Sequence, residues 1–484
     1  MSTVVRADGL PTYDADRPPE PLPNGARGWS GACLGFKVEG DGVPFWWAGV
    51  EQTVLVVGPP RSGKTSGIVV PTIWTAPAAV VTTSTKADVL EATWKLRSRK
   101  GVCYVFDPTS SATLPDGVLE LRWSPLSGCE SFDDAVARAH ALAGAGRPGA
   151  SHTESAHWVE RAEALLAPLL HAAALAGRTM REVCAWVLGH DVREPEAILT
   201  VSGAQMAKVT LSSVWRTEER ERSGIFSTAA SLLSAYRSEA ALASATEPNF
   251  DPERFAASSD TVYICAPTEA QDQLAPLVVA LLEQIRVACY QRRRRYPDSA
   301  PTLFVLDEVA NIAPLPTLPQ LASEGVSQGV VTIACLQDLS QARSRWGAVA
   351  EGFFSLFGSK LIFPGIADHA TLELISALVG DVELQTRAVS APEMPSLGVA
   401  IAKRLVLGPR AHVDGTPVVT RSTIFRRRIP VDEVYRGQLG QTLALLPSGF
   451  GYIPVTPWWK IESDPPQPAR PDAPAPQPSP WNTP

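Results

Sequence analysis

Residues 54–67 read Val54-Leu-Val-Val-Gly58-Pro-Pro-Arg-Ser-Gly63-Lys64-Thr65-Ser-Gly67. The four apolar residues predict a buried parallel strand. They run directly into Gly58-x-x-x-x-Gly63-Lys64-Thr65, a complete phosphate-binding loop pattern. Gly58 and Gly63 let the backbone turn tightly enough for its N–H groups to point inward at phosphate oxygens. Lys64 places a point charge on the β- and γ-phosphates, and the Thr65 hydroxyl suits magnesium. A helix opening near Lys64 adds its positive dipole end. We therefore expect ATP to be held by Gly58, Pro59, Pro60, Arg61, Ser62, Gly63, Lys64, Thr65 and Ser66.

Outward from this loop, short apolar runs alternate with helical patterns. Val54–Val57, 79–82, 102–106, 261–265, 303–306, 330–335 and 360–363 read as strands, mostly continuous Val/Ile/Leu, as in a parallel sheet covered on both faces. The expected fold is a three-layer α/β P-loop NTPase with a mostly parallel central sheet. Between 131 and 250 the alternation stops and an Ala/Leu/Glu/Arg-rich stretch with helical spacing takes over, predicting an all-helical insertion. The expected division is a loose segment at 1–28, the first part of the NTPase domain at 29–130, the insertion at 131–250, the second part at 251–460, and a disordered Pro-rich tail at 461–484.

The 484 residues carry a net charge of −7, so no global basic field points to nucleic acid, although a local basic channel fits on an acidic chain. Seven scattered cysteines without a CxxC fit a reduced compartment. The charged first thirty residues do not read as a signal peptide. The most apolar run, 274–290, is broken by Glu283, Gln284 and Arg286 and reads as an amphipathic helix. A cytoplasmic chain, or one held at the inner face of the membrane through a partner, is the expectation.

A second apolar strand ends in Asp307-Glu308. An acid at such a strand end holds the magnesium shell, here with Thr65. An adjacent Glu acts as general base on the attacking water. The order of strand, loop, intervening strands and Asp-Glu is that of the RecA-like branch. Gln337, at the end of the following strand, either senses the γ-phosphate or is a loop amide bonded to backbone. His152-x-Glu154-x-x-His157 lacks a third ligand and reads as polar residues leading into a helix rather than a metal site. Arg292–Arg295 and Arg426–Arg428 read as solvated basic ends, with phosphate-backbone contact as the other reading.

Six landmarks in order resemble the TraG/TraD-type coupling proteins of conjugation and type IV secretion. They are the loop followed by Val69-Val-Pro-Thr72, Val80 through Lys86 to Leu90, Phe106-Asp107-Pro108, Trp123-Ser-Pro-Leu126, Leu306 through Pro316, and Gln337 through Gly347. The resemblance implies a RecA-like motor with an inserted all-helical domain and a homo-oligomeric ring. It also implies ATP-driven recruitment and transfer of DNA, or a relaxase–DNA complex, toward a secretion channel. The alternatives are a nucleotide-gated recruitment module without motor activity and a cytosolic FtsK-like DNA pump. This sequence departs from the family in lacking its N-terminal membrane helices, in having Ser84 where the motif has Asp, and in reading Gly325-Val-Ser-Gln-Gly329 where an Arg is usual. A membrane partner is implied by the first departure, and Arg343 or Arg345 is the candidate substitute for the last.

Overall fold

A computed structural model describes residues 31–36, 45–49, 51–144, 153–390, 401–402, 404–406, 408 and 418–460. The segments expected to be loose at 1–28 and 461–484, and His152, lie outside them. The described strands in chain order are β1 (Cys33–Phe36), β2 (Phe45–Trp47), β3 (Val54–Val57), β4 (Val80–Ser84), β5 (Cys103–Phe106), β6 (Leu119–Glu120), β7 (Thr261–Cys265), β8 (Thr302–Leu306), β9 (Val330–Leu336), β10 (Ser359–Ile362), β11 (Asp381–Ser390), β12 (Val418–Arg427), β13 (Gln441–Leu446) and β14 (Gly449–Pro454).

Ten of them form one sheet in the order β14-β13-β10-β3-β9-β8-β4-β7-β5-β6. From β10 to β6 every pairing is parallel. The β13–β14 hairpin closes the β10 edge antiparallel. Every residue of β3, β4, β5, β7, β8 and β9 is buried, which is why these strands read as mostly apolar runs, with a few threonines, rather than alternating ones. On one face Val54, Val56, Leu303, Val305, Val331 and Ile333 share a core with Ile68, Val69 and Ile73 of the helix after β3 and with Val89 and Leu90 of helix Asp88–Arg97. Burial at this scale stabilises each such side chain by about 1.5–3 kcal/mol.

Helix Gln271–Arg295 corrects one expectation. It is not amphipathic throughout: Leu274 to Leu282 is buried without interruption, and only afterwards does burial become one-sided at Ile285, Ala288 and Cys289. The helix is packed against β9 and helices Phe132–Gly144, Pro252–Ala256 and Val309–Ile312. Thr268–Arg295 is the one stretch among the described residues long and apolar enough to cross a membrane, and 67% of its most apolar window is buried inside the fold.

Between β6 and β7 the described residues contain helices only, from Phe132–Gly144 to Pro252–Ala256. The chain enters and leaves this block side by side. Trp123 N donates to Ser244 O at 2.9 Å, and Asn249 N donates to Arg122 O at 3.0 Å.

Contacts divide the chain at Asp368/His369 and Arg436/Gly437. The sheet and the helical block fall in one unit. The other unit, which the reading of 251–460 as a continuous part did not separate, contains helix His369–Val379, the ten-pair antiparallel ribbon β11–β12 and helix Val431–Arg436. Within it Ser376 Oγ donates to Ile429 O at 2.7 Å.

Arg97 shows how the sheet's lower edge is held. It is fully buried, and its guanidinium donates to Thr261 Oγ1 at 2.7 Å, Ala76 O at 2.7 Å, and Ala78 O and Ser259 O at 2.8 Å each. Burial pulls its pKa below the ordinary arginine value. Arg97→Met keeps the aliphatic stem but strands the carbonyls of Ala78 and Ser259, while Ala76 O keeps the Lys100 ammonium at 2.8 Å. The substitution is expected to cost about 3 kcal/mol or more, seen as a fall in the urea midpoint.

Candidate functional site

Strand order decides which groups meet. The loop leaves β3, the Asp-Glu pair leaves β8, and β9 runs between them, so three strand ends supply groups to one place. The loop itself is bent by left-handed backbone at Arg61 (φ 62°) and Gly63 (φ 101°). That alternation makes a concave run of amides suited to an anion. A Cβ on Gly58 would lie 2.5 Å from Phe363 Cβ and 2.9 Å from Ser62 Oγ, so only glycine fits there. Ser62 Oγ is buried with no hydrogen-bond partner, an orphan that a phosphate oxygen would satisfy. Ser66 Oγ donates to Gly63 O at 3.4 Å, while Pro59 and Pro60 shape the loop's entry.

The helix after the loop begins with a wide turn, Thr65–Val69, in which Val70 N–H reaches back five residues to Thr65 O, before ordinary α geometry over Val70–Thr75. Such turns recur at functional sites. Lys64 is buried, and its Nζ donates to Gly58 O at 2.6 Å and Pro59 O at 2.9 Å.

Thr65 Oγ1 donates to Asp307 Oδ2 at 2.6 Å. Asp307 is buried, its Oδ1 accepts from Glu308 N at 3.1 Å, and its backbone oxygen accepts from Thr83 Oγ1 at 2.6 Å. Burial raises its pKa, and the Glu308 and Asp88 charges add to the rise. The Thr65 hydroxyl and Lys64 oppose it. A hydroxyl and a buried carboxylate side by side are hard oxygen donors that fit a small divalent cation, whose charge would offset the desolvation of Asp307. Asp307→Asn removes that buried charge. We expect the nucleotide-free variant to melt higher, by about 2 °C, while losing magnesium-dependent nucleotide binding; thermal melts with and without MgATP read both.

Glu308 follows with φ 53° and ψ 42°, a left-handed conformation that costs a non-glycine residue about 1 kcal/mol. It turns the side chain toward the end of β9. Gln337 Nε2 donates to Glu308 Oε2 at 3.2 Å, and Asn311 Nδ2 donates to the same oxygen at 3.3 Å. Gln337 N donates to Gln341 Oε1 at 3.1 Å. Asn311, Gln341 and Thr83 escaped the sequence reading. Asn311 had a usable signal, an amide three residues after the expected base at the start of a helix; Thr83 had none.

Two expected substitutes for a missing arginine are engaged within the chain. Arg343 pairs with Glu351 at 2.7 Å and with Asp368 at 3.4 Å, and Arg345 pairs with Asp272 at 3.2 Å. The 325–329 turn supplies no arginine. Arg293 donates to Pro297 O and Ser299 O, while Arg292 and Arg295 lie 5.5 and 5.6 Å from the Tyr296 ring. Among the described residues no cluster of His, Cys, Asp and Glu has the makings of a separate metal site.

The family model for type IV secretory system conjugative DNA transfer matches residues 26–397. Two conjugal transfer proteins TraG of Escherichia coli are each 26% identical, one over 325 residues covering 61% of this chain and 49% of the relative, the other over 348 residues covering 65% and 53%. The chain thus spans about half the length of the curated relatives it matches. Among solved structures, the unbound bacterial conjugative coupling protein TrwBdeltaN70 superposes with a TM-score of 0.62 at 16% identity, covering 84% of this chain and 85% of that one. The plasmid coupling protein TrwB in complex with ADP and Mg2+ gives 0.61 at 16% identity, with 84% and 86% covered. At that identity the likeness shows the shared RecA-like fold.

Proposed function

The chain belongs to the type IV secretory system conjugative DNA transfer family, of the TraG/TraD coupling-protein type, and from that membership we propose that it hydrolyses ATP to recruit DNA, or a relaxase–DNA complex, and drive it toward a secretion channel. The observation that carries the hydrolysis is the 2.6 Å bond from Thr65 on the loop to Asp307 on β8. It brings the two halves of an ATPase site together across an intervening strand.

In this reading the amides of Gly58–Ser66 cradle the phosphates, and Lys64 places its charge beside them. Thr65 and Asp307 would hold magnesium, which when bound supplies charge neutralisation at the phosphate oxygens. Glu308 takes a proton from the attacking water as the terminal phosphate leaves ADP. Its Oε2 is occupied by Gln337 and Asn311, which orients Oε1 for that proton. Gln337, bonded to the base, is placed to register whether the γ-phosphate is present. TrwB has been solved with ADP and Mg2+ and with a non-hydrolysable ATP analogue, which supports nucleotide and magnesium as ligands here.

We take 131–250 as an inserted domain that selects cargo. We further take the working form to be a homo-oligomeric ring on the cytoplasmic side of the membrane, reached through partner proteins. The engagement of Arg343 and Arg345 in ion pairs within the chain favours one second reading, a nucleotide-gated recruitment module that binds ATP without turnover. Hydrolysis measured with and without single- and double-stranded DNA separates the two. Magnesium-dependent turnover stimulated by DNA supports the motor. Binding without turnover under every DNA condition leaves only the recruiter.

A further inference from the structure

The Trp123-Ser-Pro-Leu126 landmark has no part in the chemistry above, yet Trp123 is fully buried. Its Nε1 donates to Gln284 Oε1 at 2.6 Å, and the same oxygen accepts from Arg138 Nη1 at 2.9 Å. Gln284 Nε2 donates in turn to Ser127 O at 3.3 Å. Arg138, buried and 5.2 Å from the Trp123 ring, belongs to helix Phe132–Gly144, the first of the helical block. The root of the block is therefore locked to helix Gln271–Arg295 at Gln284.

The preceding residue, Glu283, faces other partners. It accepts from the Thr317 hydroxyl and pairs with Arg286 at 2.7 Å. Thr317 ends the segment that starts at Glu308 and runs through helix Val309–Ile312 and the residues 313–317. Two more contacts fall on that segment. Trp346, at the end of the helix that follows Gln337, donates to Leu315 O at 2.7 Å. Gly144, the last residue of helix Phe132–Gly144, lies so close to Pro316 that a Cβ there would sit 2.7 Å from Pro316 Cγ. The stretch downstream of Glu308 is thus gripped by the helical block, by the Gln337 side and by the helix that anchors the block.

We propose that Thr317 and Glu283 are positioning residues for hydrolysis, and that the Gly144–Pro316 contact lets the helical block set the placement of Glu308. This rests on the hydrolysis reading above. Glu308 is the natural target of such a link, because its left-handed backbone persists only while neighbours hold it. A shift at 313–317 relaxes or reinforces that conformation and, with it, the aim of the carboxylate.

The test uses the full chain carrying Thr317→Val, Thr317→Ser or Gly144→Ala. Turnover, nucleotide affinity and hydrogen exchange over 309–317 are measured for each. Thr317→Val and Gly144→Ala are expected to lower kcat by about three- to thirtyfold, with nucleotide affinity within about twofold of wild type and faster exchange over 309–317. Thr317→Ser, which restores the hydroxyl, is expected to recover turnover. Wild-type kcat and unchanged exchange in both Thr317→Val and Gly144→Ala overturn the proposal. A chain that hydrolyses no ATP in its wild-type form removes the hydrolysis reading instead. The exchange of Gly144→Ala then decides the link by itself, faster exchange sustaining it and unchanged exchange ending it.

Discussion

Glu308→Gln is expected to bind nucleotide normally and to turn it over about 1,000-fold more slowly than wild type. The amide matches the carboxylate in shape, and glutamine meets the same left-handed backbone at φ 53°, so the fold and the loop are undisturbed. The two donors on Oε2, from Gln337 and Asn311, will hold the amide oxygen in place of the carboxylate oxygen. That leaves the NH2 group facing the water, where it donates and cannot accept a proton. Fluorescent-nucleotide titration checks the binding half and phosphate release the turnover half. Release at the wild-type rate would show that Glu308 is not the base.

Lys64→Ala acts one step earlier. The lysine is buried at the loop, its Nζ within 2.9 Å of two loop carbonyls, so its charge is screened less than a surface lysine's. Removing a charge-assisted partner of the phosphates is expected to weaken nucleotide binding by about 100-fold and to abolish measurable turnover at ordinary ATP concentrations. Equilibrium titration with and without magnesium reads the affinity. A melting curve close to wild type shows that the loss is local. Unchanged affinity would remove the phosphate-binding assignment of the whole loop. The two variants divide the work: one loses binding, the other keeps it and loses chemistry.

Much of this could be read from the chain because parallel strands buried on both faces announce themselves. Val54–Val57, Thr261–Cys265 and Thr302–Leu306 are apolar runs ended by loop chemistry, and no tertiary contact is needed to see them. The β13–β14 hairpin and the β11–β12 ribbon were not picked out as strands. The ribbon strands mix threonine with charges, β14 carries two glycines, and β13 joins the sheet through the distant β10, where Ile362 pairs with Leu443. The loop and the Asp-Glu pair were legible because fixed residue types stand at fixed spacing beside a strand end. The Gln337–Glu308 bond was not, because 29 residues separate them and only the parallel β8–β9 pairing brings them together. Arg97 was invisible for a similar reason: a helix arginine in the sequence looks solvated until the strand ends that bury it are in place.

The paired crossing at Arg122–Trp123 and Ser244–Asn249 has a further meaning. Where a chain departs and returns through neighbouring hydrogen bonds, the intervening length closes a loop whose ends are already joined. The entropy of that closure grows only slowly with length, by about 0.6 kcal/mol per doubling. The sheet therefore scarcely registers how many residues hang from this stem. The length inserted between the two crossings can vary while the strand order that assembles the phosphate site stays as it is. The stem works as a socket, indifferent to the length of what is plugged into it.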